Sequence, residues 1–175
     1  MLGPNDEAGC PGCSFLADHI DGTLVHLAHR DVTLVVVSRA PLAQIEAYKQ
    51  RMGWHFKWVS SYDSDFNYDY HVSFSKEMEH SFYNFEEIAP TNGEYPGASV
   101  FYKDDEGNIF HTYSTYARGG EVQLTTYSYL DMVPKGRDET SPNSMQWLRR
   151  HDEYGDSYFA DLMKPRAPTG SQCCH

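Results

Sequence analysis

The order of helix-forming and strand-forming segments predicts an α/β fold. Helix, strand, helix, β-hairpin and helix follow one another along the 175 residues, which is an order typical of α/β proteins. The strand after the first helix, Val32 to Val37, is an apolar run without polar alternation, as expected of a parallel strand buried on both faces. The length and the 40% hydrophobic content suffice for one domain with a real core.

The first predicted helix follows the segment Cys10-Pro11-Gly12-Cys13. Pro11 suits a first helical turn because its missing N–H group would have no acceptor there. The two cysteines are therefore expected at a helix N-terminus, where unpaired N–H groups and the macrodipole favour a thiolate over a thiol. The helix is predicted to continue through an apolar stripe that recurs at intervals of four, four and three residues: Leu16, Ile20, Leu24 and Leu27.

A second helix is predicted from Pro41 to its stop at Gly53, after the segment Ser38-Arg39-Ala40. A short strand around Lys57 to Ser60 follows, and then an acidic, aromatic segment from Tyr62 to Tyr70.

The middle of the chain is predicted to hold a hairpin after an insertion. Residues 73–96 show no strong period and are interpreted as an insertion on the scaffold. Two strands, Ala98 to Tyr102 and Asn108 to Tyr113, are joined by the turn Asp104-Asp105-Glu106-Gly107.

The C-terminal third is predicted to be helical and then disordered. Helices are expected from about Glu121 to Met132 and around Ser144 to His151. We place the domain boundary after residue 163, because residues 164–175 are rich in Pro, Gly and Ser and are predicted to be a disordered tail.

Charge and composition exclude several classes of partner. Twenty-five acidic residues against 14 basic ones give a net charge of −11, which argues against nucleic acid and anionic membranes. The longest apolar run is only strand-sized, and the N-terminus shows no basic-then-apolar export signal. We interpret the chain as soluble and cytoplasmic. Four cysteines do not make a disulfide scaffold here, so a close pair is expected to be catalytic or metal-binding.

Four segments carry a family resemblance: Gly9-Cys10-Pro11-Gly12-Cys13-Ser14-Phe15, Ser38-Arg39-Ala40-Pro41, Ser64-Asp65-Phe66-Asn67-Tyr68 and His111-Thr112-Tyr113-Ser114-Thr115-Tyr116. Their combination, from Gly9 to about Arg150, resembles a bacterial thioredoxin-like family of unknown function. The stretch from Leu27 to Phe56 also resembles the strand and helix of alkyl hydroperoxide reductases, in the peroxiredoxin-related branch. The resemblance implies a thioredoxin-like mixed sheet flanked by helices.

Two positions are interpreted through this resemblance. Thioredoxin-like proteins place a cis proline before the third strand, facing the cysteine pair, and Pro96 is the candidate; the alternative is an ordinary turn proline in a Pro-Gly pair. Peroxiredoxins have Thr three residues before their reactive cysteine. Glu7 stands at that position, so the peroxidase motif is missing.

In thioredoxin-like folds, the strand that leads into the cysteine pair lies in the middle of the sheet. Only Met1 to Gly9 precede Cys10, and this segment is unsuited to a central strand. The sequence therefore predicts a sheet whose N-terminal central strand is missing or supplied by a partner. A gene start drawn too late, a truncated chain or a partner chain would each explain it, and a homodimer is the expected assembly.

The cysteine pair predicts thiol–disulfide exchange. Cys10 is expected to attack a disulfide as the thiolate, and Cys13 to resolve the mixed disulfide. The expected partners are protein or small-molecule thiols and disulfides, and no cofactor is expected. An alternative is a protein that binds copper or zinc through Cys10, Cys13 and a distant histidine, for which His111 is the candidate. A further alternative is a non-catalytic dimeric scaffold.

Substrate-binding residues are predicted near the end of the hairpin. Tyr113, Tyr116 and Arg118 place hydroxyls and a cation at a strand end, where α/β proteins often bind ligands, and Arg39 is a further candidate cation. The alternative is a strand with alternating polar residues and a glycine loop.

Overall fold

The computed structural model describes residues 1–139 and 144–155. It is a mixed α/β protein with several helices and small sheets. The helices are α1 (Pro11–Ala17), α2 (Leu24–His29), α3 (Leu42–Met52), α4 (Phe66–Asp69) and α5 (Thr125–Met132). The strands are β1 (Val35–Ser38), β2 (Lys57–Ser60), β3 (Ser73–Phe74), β4 (Ser81–Tyr83), β5 (Glu86–Ile88), β6 (Gly93–Glu94), β7 (Gly97–Lys103) and β8 (Ile109–Tyr116).

Strands β1 and β2 form a parallel pair that α3 connects. The register runs from Val35 opposite Lys57 to Ser38 opposite Ser60. The predicted bounds of α3 are confirmed, because Pro41 precedes its first turn and Gly53 ends it with φ of 65°. That left-handed conformation suits glycine, which has no Cβ to clash with the backbone.

The first predicted helix is wrong beyond Ala17, because the chain turns there. The Asp18 carboxylate accepts a hydrogen bond from Trp54 Nε1 at 2.8 Å, and the Asp21 carboxylate accepts one from the backbone N–H of Phe56 at 2.9 Å. These bonds draw the chain into a tight 3-10 turn at Asp21–Thr23, after which α2 begins.

The β-branched run is only partly a strand. Strand β1 begins at Val35, and Val32 and Val35 are 49% and 38% exposed, so the expectation of burial on both faces is wrong. The physical reason is that β1 pairs only with β2 within the described residues, and Val32 lies before the strand begins.

The predicted hairpin is confirmed and is longer than expected. Strands β7 and β8 pair antiparallel from Gly97 opposite Tyr116 to Lys103 opposite Ile109, with a bulge at Val100 and Phe101. Residues 73–96 contain two further antiparallel pairs, β3 with β6 and β4 with β5. The described strands thus form four two-stranded sheets.

Two helix predictions in the C-terminal part need correction. Residues Ala117–Gln123 form a 3-10 segment, in which Arg118 pairs with Glu121 at 2.6 Å, and α5 begins only at Thr125. Residues 144–147 form a turn instead of a helix, since Met145 has φ of 67°. The predicted tail, residues 164–175, lies outside the described residues.

Two apolar clusters form the core. The larger packs α3 and the residues that follow it against the N-terminal segment, and consists of Leu2, Ala17, Ala40, Ile45, Tyr48, Met52, Trp54, Phe56 and Trp58. The smaller joins α1 to α5 through Phe15, Leu124, Tyr127 and Leu148. None of the helices in the described part of the chain is long and apolar enough to cross a membrane.

Candidate dithiol site

Cys10 and Cys13 lie at the start of α1, as the sequence predicts. Cys10 is the residue immediately before the helix, with φ of −54° and ψ of 138°, and Cys13 is the third helical residue. Both are half-buried, and neither is in a disulfide. The carbonyl of Cys10 accepts hydrogen bonds from the backbone N–H and the hydroxyl of Ser14, both at 2.9 Å. The position of Cys10 is therefore fixed by the first turn of its own helix.

The buried side of this turn is held by Tyr48 from α3. The Tyr48 hydroxyl and the Ser14 hydroxyl share a hydrogen bond of 2.9 Å, and Ser14 is fully buried. Tyr48 packs edge-on against Trp54, with ring centroids 5.6 Å apart. A Cβ on Gly9 would lie 2.7 Å from Tyr48 Cε1, so only glycine fits at this position beside Cys10. The site is thus built directly on the larger core cluster.

Arg150, near the C-terminal end of the described chain, binds the residue before Cys10. Arg150 Nε donates to the carbonyl of Gly9 at 2.8 Å, and its Nη1 pairs with Glu153 at 2.6 Å. Burial raises the pKa of Tyr48, while the bond to Ser14 and the positive charge of Arg150 act in the opposite direction. An ion pair of Arg150 and Glu153 therefore lies next to the residue that precedes Cys10.

Tyr83 holds the backbone at Pro96. Its hydroxyl donates to the carbonyl of Pro96 at 2.8 Å and accepts from the backbone N–H of Ala117 at 2.9 Å. Burial raises the pKa of Tyr83, and the neighbouring Cys13 raises it further. The Tyr83 hydroxyl therefore joins the residue before β7 to the residue after β8.

Arg39 lies in a second polar group near the cysteines. Its Nη1 donates to Glu94 at 2.9 Å, its guanidinium lies 4.5 Å from the centre of the Tyr68 ring, and the Ser73 hydroxyl also donates to Glu94. The pKa of the Met1 amino group is raised. Burial acts to lower this pKa, but the negative charges of Cys13 and Glu94 have the larger combined effect.

The remaining predicted substrate-binding residues are spread along β8 and the segment after it. Tyr116 is buried and packs against Tyr83, with ring centroids 5.8 Å apart. Tyr113 is 56% exposed on the hairpin, and Arg118 is exposed and paired with Glu121 at 2.6 Å. Of these three residues, Tyr116 alone is buried.

His111, the candidate third metal ligand, has other contacts. Its Nε2 is 2.7 Å from the Ser114 hydroxyl, and its ring packs against Tyr70 and Phe101 at 5.4 and 5.3 Å. Within residues 1–139 and 144–155, no group of three or more His, Cys, Asp or Glu side chains is arranged to hold a metal ion.

Four residues around the cysteines were not identified from the sequence: Tyr48, Tyr83, Glu94 and Arg150. Each reaches the site from another part of the chain, so the spacing around Cys10 carries no sign of them. The one local signal is Gly9, since a glycine directly before the pair indicates a close approach of another group.

A family model described as "Bacterial protein of unknown function (DUF899)" matches residues 1–154. No curated protein and no solved structure matches the chain.

Proposed function

The chain belongs to the DUF899 family of bacterial proteins, and we propose that it performs thiol–disulfide exchange at Cys10 and Cys13. The observation that carries the proposal is the placement of both half-buried thiols within the first turn of one helix. The first turn of a helix presents backbone N–H groups without intrahelical acceptors, which favour a negative charge on sulfur. The guanidinium of Arg150 donates to the carbonyl of Gly9 and so fixes the backbone directly before Cys10.

The exchange proceeds in two displacement steps. The Cys10 thiolate attacks one sulfur of a substrate disulfide, forming a mixed disulfide and releasing the other substrate sulfur as a thiolate. The Cys13 thiolate then attacks Cys10 Sγ, which releases the second substrate thiolate and leaves a Cys10–Cys13 disulfide. The two protons lost by the cysteines end on the two substrate thiols. An external thiol or dithiol reductant returns the pair to its reduced form.

A thioredoxin-like arrangement of the fold is part of the proposal. Three features support it: the cysteine pair at the start of α1, the parallel unit β1–α3–β2, and Pro96 directly before β7. A homodimer is the assembly that we propose together with this arrangement. A monomer in light scattering would contradict the homodimer.

The experiment combines thiol, metal and turnover measurements on one purified protein. Cys173 and Cys174 are first replaced by serine, so that only the Cys10–Cys13 pair is counted. We expect two titratable thiols, a measurable reduction potential and reduction of a model disulfide. Cys10→Ser is expected to abolish turnover, while Cys13→Ser is expected to accumulate the mixed disulfide, which mass spectrometry detects.

Two results would overturn the proposal. One is full turnover by Cys10→Ser, since no attacking sulfur would then be needed. The other is a copper or zinc ion that survives dialysis and is lost in both Cys10→Ser and Cys13→Ser. That result would favour the metal-binding alternative.

A further inference from the structure

A segment near the end of the described chain packs against the helix that carries the cysteine pair. We call this segment, residues 145–151, the strap. Its Arg150 Nε donates to the carbonyl of Gly9 at 2.8 Å. Its Trp147 ring packs edge-on against the Phe15 ring, with centroids 5.8 Å apart. The strap is therefore fixed to the chain at points before and after the cysteine pair.

Met145 is the strap residue that reaches the cysteine pair. A Cβ on Gly12 would lie 3.4 Å from Met145 Cε and 3.9 Å from Cys10 Sγ. Both are ordinary contact distances, so the methionine methyl group and the cysteine sulfur border one methyl-sized space beside Gly12. Met145 is half-buried, and its side chain packs against the smaller core cluster. Its position beside Gly12 is therefore fixed by the core.

The backbone of the strap also fixes this position. Met145 has φ of 67°, in the left-handed region that is uncommon for a residue with a Cβ. Its carbonyl accepts a hydrogen bond from the backbone N–H of Leu148 at 3.1 Å, and Leu148 is buried. Contacts with the rest of the fold thus hold Met145 in a conformation that is locally unfavourable.

A thioether at this place has a definite chemical preference. In a mixed disulfide, the carbon attached to the substrate sulfur lies about 3.8 Å from the Cβ of the attacking cysteine. Substrate atoms on Cys10 are therefore close enough to contact the methyl group of Met145. Methionine is apolar, flexible and polarisable, so it accommodates apolar groups of different shapes. A charged group would lose water there and would gain no polar partner from the methyl group.

We propose that Met145 is a substrate-binding residue that selects disulfides flanked by apolar groups. The inference rests on the proposed function and deepens it by naming the substrate class. In the mixed disulfide, the substrate carbons next to the sulfur on Cys10 occupy the space beside Gly12 and contact Met145 Cε.

The first test compares two substrates. They are cyclic peptides with a disulfide bridge, one with leucine and one with glutamate beside each cysteine. Met145→Gln replaces the thioether by an amide of similar length, and Met145→Leu keeps the side chain apolar. The control, Met132→Gln, makes the same change at a methionine that is 71% exposed at the end of α5. All variants carry Cys173→Ser and Cys174→Ser.

We expect the unaltered protein to prefer the leucine peptide, expressed as the ratio of the two kcat/KM values. Met145→Gln should lower this ratio about tenfold, while Met145→Leu and Met132→Gln should retain it. Iodoacetamide, a small reagent, should alkylate the cysteine pair at the same rate in all of these proteins, because the thiols themselves are unchanged. A ratio that Met145→Gln leaves unaltered overturns the inference.

Gly12→Ala tests the same space by filling it. The added methyl group fits between Met145 and Cys10 at contact distance, and alanine is favoured over glycine in a helix, so the fold is retained. We expect kcat/KM for the leucine peptide to fall about tenfold, and Met145→Ala in the same protein to restore most of it. Full turnover of the leucine peptide by Gly12→Ala overturns the inference.

A leucine peptide with a thioether bridge separates this inference from the exchange proposal, because it binds without reacting. Weaker binding to Met145→Gln than to the unaltered protein supports the role of Met145. Equal binding overturns that role and leaves the exchange proposal intact. Conversely, turnover that survives Cys10→Ser overturns the exchange proposal, while the thioether peptide still reports on Met145.

Discussion

Gly9→Ala is expected to destabilise the protein because the new methyl group collides with Tyr48. A Cβ at position 9 would lie 2.7 Å from Tyr48 Cε1, 3.1 Å from its Cζ and 3.2 Å from the Ser14 hydroxyl. Carbon atoms in ordinary contact are about 3.5–4.0 Å apart, so the Tyr48 ring must shift by about 1 Å. The ring is only 4% exposed and is enclosed by Trp54 and Trp58, which leave it no room to move.

Two effects then combine. Overpacking of a core costs about 1–3 kcal/mol, and loss of the buried hydrogen bond between Ser14 and Tyr48 adds about 1 kcal/mol. Replacing glycine by alanine restricts the unfolded chain and offsets about 0.4–1 kcal/mol. We expect a net loss of about 2 kcal/mol in the free energy of unfolding.

Urea denaturation followed by tryptophan fluorescence measures this loss, since Trp54 and Trp58 lie in the affected cluster. Gly120→Ala is the matched control, because nothing lies within 4 Å of a Cβ at that position. Tyr48→Phe removes the hydrogen bond without the collision and should lose about 1 kcal/mol. A loss in Gly9→Ala no larger than that in Gly120→Ala would refute the reasoning.

Two further predictions concern single contacts. Asp152→Asn removes a carboxylate whose pKa is lowered from 3.8 by its hydrogen bond with Arg51. A carboxylate whose pKa is lower in the folded state stabilises the protein at pH values above its unfolded pKa. This stabilisation is lost as the pH falls through the folded pKa. The variant should therefore lose less than about 1 kcal/mol at neutral pH and a smaller amount at acidic pH, and an equal loss in urea denaturation at both would contradict this. Tyr83→Phe removes both bonds of the hydroxyl, to Pro96 and Ala117, and should lose about 1 kcal/mol in urea denaturation. It should also speed amide exchange at Ala117; unchanged exchange would show that water replaces the hydroxyl.

Elements with local signals were predictable from the sequence, and those with distant partners were not. Helix α3 has Pro41 before it and Gly53 after it, and both act within one turn. The end of α1 depends on Asp18, whose carboxylate binds a tryptophan 36 residues away. Nothing in the sequence around Asp18 indicates that contact.

The candidate site also contains residues that local sequence predicts and residues that it does not. Cys10 and Cys13 are three residues apart, so their common helix turn follows from spacing and from Pro11. The residue that binds the carbonyl beside them, Arg150, is 141 positions from Gly9. A contact of that separation depends on the whole fold, and a single sequence contains no pattern that predicts it.

The bond between Arg150 and Gly9 has a consequence for how the protein is made. Synthesis proceeds from Met1 onward, so Cys10 leaves the ribosome long before Arg150 is added. The hydrogen bond at 2.8 Å, and the pair of His151 with Asp18 at 2.7 Å, form only when this last part of the described chain has emerged. The nascent chain therefore carries both thiols before these contacts exist, and interrupted translation would release a protein whose Gly9 carbonyl lacks its donor from Arg150.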